Sequence, residues 1–202
     1  MYTMQADSLG RRSAQTAMFH ITEAFVRWIA PVLSFTAEEI WQHLPGERGH
    51  SVFLETWYKN FPVQTASQER SEYWKHVINI RDEVSKELEK IRIAGDIGSA
   101  LDAEVSLYCD DEQLTLLKQL EDELRFIFIT SYVTLHSESE ADEGAVETEI
   151  KGIKMHVSSS SHDKCVRCWH HREDVGRHDK HPELCGRCVE NVDDEGESRR
   201  YA

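Results

Sequence analysis

Residues 165–188 read CVRCWHHREDVGRHDKHPELCGRC and hold four of the chain's five cysteines, as Cys165-x2-Cys168 and Cys185-x2-Cys188 with sixteen residues between the pairs. Each Cys-x2-Cys turn points two sulfurs at a common centre, and a loop of this length lets the second pair complete the tetrahedron that a d10 cation accepts. Thiolate donors select zinc over magnesium or calcium, while iron or an iron–sulfur cluster uses the same four donors in principle. The expectation is one structural zinc ion on Cys165, Cys168, Cys185 and Cys188. A closed four-sulfur shell leaves no position for water or substrate, so such a centre staples a segment and does not catalyse. Two disulfides or a redox pair fit less well. No secretory leader is apparent, which favours a reducing cytosol, and both pairs sit in a polar, loop-rich stretch instead of a strand-to-helix junction.

Around this centre the 202 residues, 40% hydrophobic, can bury at least one sizeable core. No apolar run reaches the length of a membrane span, so the expectation is a cytoplasmic chain with no membrane partner, acting as a monomer. The net charge of −14 argues against a whole surface that grips a polyanion. A local patch is not excluded: residues 162–192 carry Lys164, Arg167, Arg172, Arg177, Lys180 and Arg187 against six acids, while acids concentrate in Glu138–Glu149 and Asp193–Glu197. Trp169 follows the second knuckle cysteine, with Arg167, His170, His171 and Arg172 around it. An indole among cations suits stacking on an unpaired base with contact to phosphate; it equally suits covering the metal as a miniature core. Cys109, the fifth cysteine, lies in an apolar alternation and reads as a small buried hydrophobe.

Working back along the chain, Ala14, Met18, Ile21, Phe25, Trp28 and Val32 recur at steps of three and four, which predicts a long bundle helix with a kink or a break at Pro31. Arg11, Arg12 and Arg27 read as its solvated face. Thr36 and Glu39 have capping-box spacing and predict a short helix over 37–44, stopped by Pro45-Gly46. Trp74, Val77, Val84, Leu88 and Ile91 predict a long helix over 69–93, ended by Gly95. Val105, Leu107 and Cys109 alternate as a strand, and Asp110 or Asp111 caps a helix carrying Leu114, Leu117, Leu120 and Leu124; it is read as running on through 126–129, where the β-rich composition also allows strand. Segments 132–136 and 153–157 read as strands around an acidic, mobile loop. Ser158–His162 reads as a polar tether to a separately folding flap, and the tail from Asp193 as loose, with Arg199, Arg200 and Tyr201 as the residues that could dock or touch a ligand. The fold class is therefore mainly α: a helical bundle over 1–98, a small α+β unit over 99–160 and a four-cysteine finger over 161–202. No phosphate-cradling glycine loop, nucleophile elbow or His-Glu-x-x-His pair is present, and nothing looks catalytic.

The stretch Ala30-Pro31-Val32-Leu33-Ser34-Phe35-Thr36-Ala37-Glu38-Glu39-Ile40-Trp41 resembles the anticodon-binding helical bundle of the class I synthetases for isoleucine, valine, leucine and methionine. Arg81-x-Glu83-Val84-x-Lys86-x-Leu88-Glu89-x-x-Arg92, Ile97-Gly98, Leu101-x-Ala103 and Asp122-Glu123-Leu124-Arg125 resemble the isoleucyl-tRNA synthetases. Cys165-x2-Cys168-Trp169-His170 with Cys185-Gly186-Arg187-Cys188 resembles the zinc finger that bacterial members share with formamidopyrimidine-type DNA glycosylases. The resemblance implies an anticodon-arm binding module for isoleucine tRNA, with Trp169, Arg167, His170, Arg172 and Arg187 as RNA-contact candidates. It also implies partner catalytic and editing domains in a parent ATP-dependent ligase. The synthetase signature motifs are absent here, so this chain by itself is expected to be inactive. Two rival readings remain, a DNA-repair-type finger and a zinc-stapled protein-interaction module.

Overall fold

The structure, a computed structural model, describes residues 1–62 and 67–201. Among them, Met1 and 6–62 form one compact unit, and 2–5 with 67–201 form the other. No helix among the described residues is long and apolar enough to cross a membrane.

The first unit holds helices α1 (Leu9–Ile29) and α2 (Ser34–His43) and an irregular segment with a short 3-10 turn at Val52–Leu54. Ser8 caps α1, its hydroxyl accepting from the amide of Arg11 at 3.3 Å, and of the kink or break expected at Pro31 the structure shows the break, the helix ending at Ile29. Its buried face differs from the one expected. Val26, Ala30, Ala37, Trp41 and Val52 make the core, whereas Met18, Ile21, Phe25, Trp28 and Val32 are all about half exposed or more. The buried stripe carries a charge: Glu23 pairs with Arg27 at 2.7 Å and with Arg48 at 2.5 Å, and both guanidinium groups lie over the Trp41 ring, at 4.7 and 4.8 Å. Arg27 is thus a core cation, not a solvated one. The second helix also starts earlier than expected. Ala37 donates its amide to the Leu33 carbonyl at 2.8 Å, so Thr36 is inside α2 and the Thr36/Glu39 box does not form.

In the second unit, α3 (Gln68–Ala94) matches the periodicity and ends on Gly95 at φ 90°, where a side chain would be strained. Strands β1 (Ala103–Cys109), β2 (Tyr132–Ser137), β3 (Val146–Glu147) and β4 (Ile153–Ser159) form one sheet in the order β2-β1-β4-β3, parallel between β1 and β2 and antiparallel elsewhere. The parallel pair requires a crossover. It is supplied by α4 (Asp111–Lys118), capped by Asp110 as expected, and α5 (Leu124–Phe128), with a 3-10 turn at Glu121–Glu123 breaking the single helix read from the leucines. Because strand side chains alternate, Val105, Leu107 and Cys109 face one way and pack with Val77, Ile80, Val84 and Leu88 of α3 and Leu117, Leu124 and Phe128 of the crossover. The other face is polar: Tyr108 donates to Asp142 at 2.7 Å, and His156 bonds the same carboxylate at 2.8 Å, holding the acidic loop in place. The largest core therefore belongs to a sheet covered by helices, so the fold fits a mixed α/β unit and the mainly α class expected holds only loosely. The long helix expected in the bundle is one of the sheet's covering helices.

Candidate metal centre and nucleic-acid interface

The finger is built onto the sheet unit. Ser158 and Ser159 are strand residues paired with Glu104 and Ala103, and Ser160 donates to Glu104, so the serines are sheet and not a tether. From there Asp102 receives Lys164 at 3.2 Å and the His171 ring at 3.2 Å, Ser131 accepts the His171 amide at 2.6 Å, and the Arg172 guanidinium lies 4.0 Å over the Tyr132 ring. The tail closes the other side. Glu197 is half-buried between Arg187 at 2.7 Å and Arg199 at 2.9 Å, and Glu123 accepts the amides of Arg200 and Tyr201, both at 2.7 Å. Burial opposes ionisation of Glu197, but the two guanidinium groups hold its carboxyl below the usual range. The tail expected to be loose is docked.

Cys165, Cys168, Cys185 and Cys188 are buried free thiols whose sulfurs lie within 4.8 Å of one another. The Cys168 and Cys185 sulfurs are 3.6 Å apart. Four sulfurs at about 2.3 Å from a tetrahedral zinc sit about 3.8 Å from one another, and a disulfide would need about 2.05 Å, so the spacing fits a metal and not a bridge. Without a cation, hydrogen bonds from Cys165, Cys185 and Cys188 push the Cys168 thiol far down, and those shared with Cys165, Cys168 and Cys188 push Cys185 far up. A central divalent charge lets all four be thiolates. The peptide N–H of Cys185 donates to the Cys165 sulfur at 3.3 Å and the Arg167 guanidinium lies 3.9 Å from the Cys188 sulfur, donors that offset the negative charge of a four-thiolate shell. The finger holds one structural zinc ion.

Elemental analysis of protein purified without added metal should give about one equivalent of zinc. Chelation should open the finger and make its four thiols accessible to a thiol reagent. Cys109 should stay silent until the fold is opened, since it is buried and its thiol is pushed up to about 11 by burial and by Asp110. Iron, or no metal with disulfides, would overturn the assignment.

Around the metal, the apolar cover is Val175 and Leu184. Trp169 is not part of it: its side chain is 61% exposed, and its backbone is left-handed at φ 67°. That conformation lets the knuckle close, with the Trp169 amide on the Cys165 carbonyl at 2.8 Å and the Cys165 amide on the His170 carbonyl at 3.0 Å. Glycine would take it without strain, so a large ring placed there and left in solvent is not explained by packing. The remaining candidates are engaged. Arg167 donates to the Thr3 carbonyl at 2.5 Å, His170 is buried with its ring 5.6 Å from that of Phe126, Arg172 stacks on Tyr132, and Arg187 is paired with Glu197. No spacing in the sequence signalled that Phe126 would be the platform of this cluster, with Arg199 at 3.4 Å, Arg125 at 4.2 Å and Arg187 at 5.2 Å from its ring centre.

Comparison with known proteins gives the arrangement its relatives. Residues 163–191 match the family described as the zinc finger found in FPG and IleRS. The isoleucine–tRNA ligase of Methylococcus capsulatus is 55% identical over 201 residues, that of a Marinomonas species 55% over 203, and that of Pseudomonas aeruginosa 52% over 202. These alignments cover 99% to 100% of this chain but only 21% to 22% of each relative, so the chain spans about a fifth of the length of the proteins it matches. Residues 1–107, more than half of the chain, match the family described as the anticodon-binding domain of tRNA ligase, and it is to this family that the chain belongs.

Proposed function

We propose that the chain is the anticodon-arm binding module of an isoleucine–tRNA ligase, supporting ATP-dependent charging of isoleucine tRNA by a catalytic domain elsewhere in a cytoplasmic, monomeric parent protein. The observation that carries the reading is the pairing, in one chain, of the anticodon-binding domain match with a zinc-held knuckle that presents Trp169 to solvent. Unpaired anticodon bases can be splayed and stacked on an aromatic ring, which is how sequence-specific RNA recognition usually proceeds. In this reading Trp169 is the stacking platform. Arg167, His170, Arg172 and Arg187 are the further RNA-contact candidates of the finger. The exposed apolar face of α1, from Met18 to Val32, is where other helices of the parent chain pack, because a patch of that extent is rarely left to water.

The test is a salt-dependent titration with isoleucine tRNA against an unrelated RNA, for the unsubstituted chain and for Trp169→Ala. The substitution should lower tRNA affinity by about 1–3 kcal/mol while zinc content stays at one equivalent. Equal binding of both RNAs, or zinc loss with no specific change in RNA binding, would count against the reading.

A further inference from the structure

Away from the finger, α3 and α5 enclose a pocket of about 200 Å³ whose floor is apolar, made by Leu88, Ile97, Ala100 and Phe128. Its rim is polar and cationic. Arg81 has no ion-pair or side-chain hydrogen-bond partner among the described residues, although its helix neighbours Lys86, Lys90 and Arg92 are each paired with a glutamate. On the same rim Glu89 and Arg92 form a two-point pair, at 2.7 Å for each hydrogen bond, and so present an acceptor and a donor side by side.

The remaining wall is Ile129, which has a left-handed backbone at φ 60°, ψ 47° and a side chain 47% exposed. The turn itself is needed: it ends α5 with the Thr130 amide on the Arg125 carbonyl at 2.9 Å and delivers the chain into β2. Glycine serves such a turn without strain, and a β-branched residue there is a backbone outlier. The fold gains little burial from this side chain in return, so its use lies at the mouth of the pocket.

We propose that this pocket takes one unpaired nucleotide of the RNA, its base on the apolar floor against Ile129, its edge at the Glu89–Arg92 pair and its phosphate on Arg81. The proposal rests on the reading that the chain binds tRNA. The pocket is smaller than those of drug-sized ligands and suits a single ring system. An apolar floor beside a free guanidinium matches the two chemistries of a nucleotide, a ring face and a charged backbone. A polypeptide segment bringing an apolar side chain is the rival that the experiment excludes or supports.

The experiment measures isoleucine tRNA binding across a salt series, with thermal unfolding in parallel, for the zinc-loaded chain and for Ile129→Gly, Arg81→Gln and Trp169→Ala. Ile129→Gly should unfold at the same or a higher temperature while binding about tenfold more weakly, because glycine relieves the turn and removes the wall. Arg81→Gln should weaken binding and lower the slope of log affinity against log salt by about 1, the signature of one lost phosphate contact. It keeps the test decisive even where Ile129→Gly perturbs packing. If Trp169→Ala weakens binding and both pocket variants bind like the unsubstituted chain, the pocket proposal falls alone and the polypeptide rival gains. If the unsubstituted chain binds no tRNA, the functional reading falls and takes the pocket with it.

Discussion

Cys185→Ser is expected to abolish zinc binding and unfold the finger while leaving most of the helical circular dichroism in place. Removing one of four thiolates leaves the metal poorly held, and apparent binding energies of structural zinc are on the order of 10–16 kcal/mol, far more than a segment this short can recover by packing. Among the described residues its own apolar cover is Val175 and Leu184. The consequences reach past the metal. Lys164, His171 and Arg172 would release Asp102, Ser131 and Tyr132, and the strap at Glu197 would lose Arg187. The sheet unit should therefore melt earlier, yet still cooperatively, since α3, α4 and α5 keep their own shared core with β1 and β4. Only α6 (Gly186–Asp193), which starts between the last two ligands, should be lost from the helical signal. Zinc analysis, circular dichroism and thermal unfolding of the variant check this. Collapse of the whole helical signal would mean that the finger nucleates the sheet unit, and retention of zinc would mean that three sulfurs suffice.

The cysteine spacing made the metal centre legible because four ligands at fixed separations have few other uses, and the same holds for α3, where periodicity and Gly95 agree. The β1 alternation was legible for a similar reason: a strand with one face on helices and one in water must alternate. What stayed hidden depends on distant partners. Ser158 and Ser159 look like a tether because nothing local shows that Glu104 and Ala103 are waiting across the sheet. The tail looks loose because Glu123, which anchors it, is 77 residues from Arg200. The crossover was read as one helix because its leucines keep helical spacing through the break, and Glu121 at φ 47° carries no glycine signal to mark it. Trp169 and Ile129 are the same case with the opposite lesson. Sequence reasoning looks for glycine where a left-handed residue is needed, so a bulky residue in that conformation is invisible until the backbone is seen, and is then a pointer to use.

Glu23→Ala is expected to destabilise the first unit by about 3 kcal/mol, more than any single truncation on the opposite face of α1, because it leaves two nearly buried guanidinium groups without their shared carboxylate. Two faces of α1 satisfy helical spacing, and counting apolar residues favours the one with Met18, Ile21, Phe25, Trp28 and Val32. In the fold the other face is buried, through Glu23, Ala24 and Val26. Burial opposes the charge on Glu23, but hydrogen bonds from Arg48 and Arg27 hold its carboxyl below the usual range. Its folded value thus lies below the unfolded one, so the contribution is present above the unfolded value and is lost as pH falls through the folded one. The gap between unsubstituted chain and Glu23→Ala should accordingly narrow in acid. Phe25→Ala, on the exposed face, should change stability by less than about 0.5 kcal/mol. Urea unfolding followed at the Trp41 indole proton reports on this unit, since that group donates to the Gly49 carbonyl at 2.9 Å and both guanidinium groups lie within 5 Å of its ring centre, at 4.7 and 4.8 Å. A neutral Glu23→Ala beside a costly Phe25→Ala would show that α1 packs by its apolar stripe, and the buried ion cluster would lose its role in the fold.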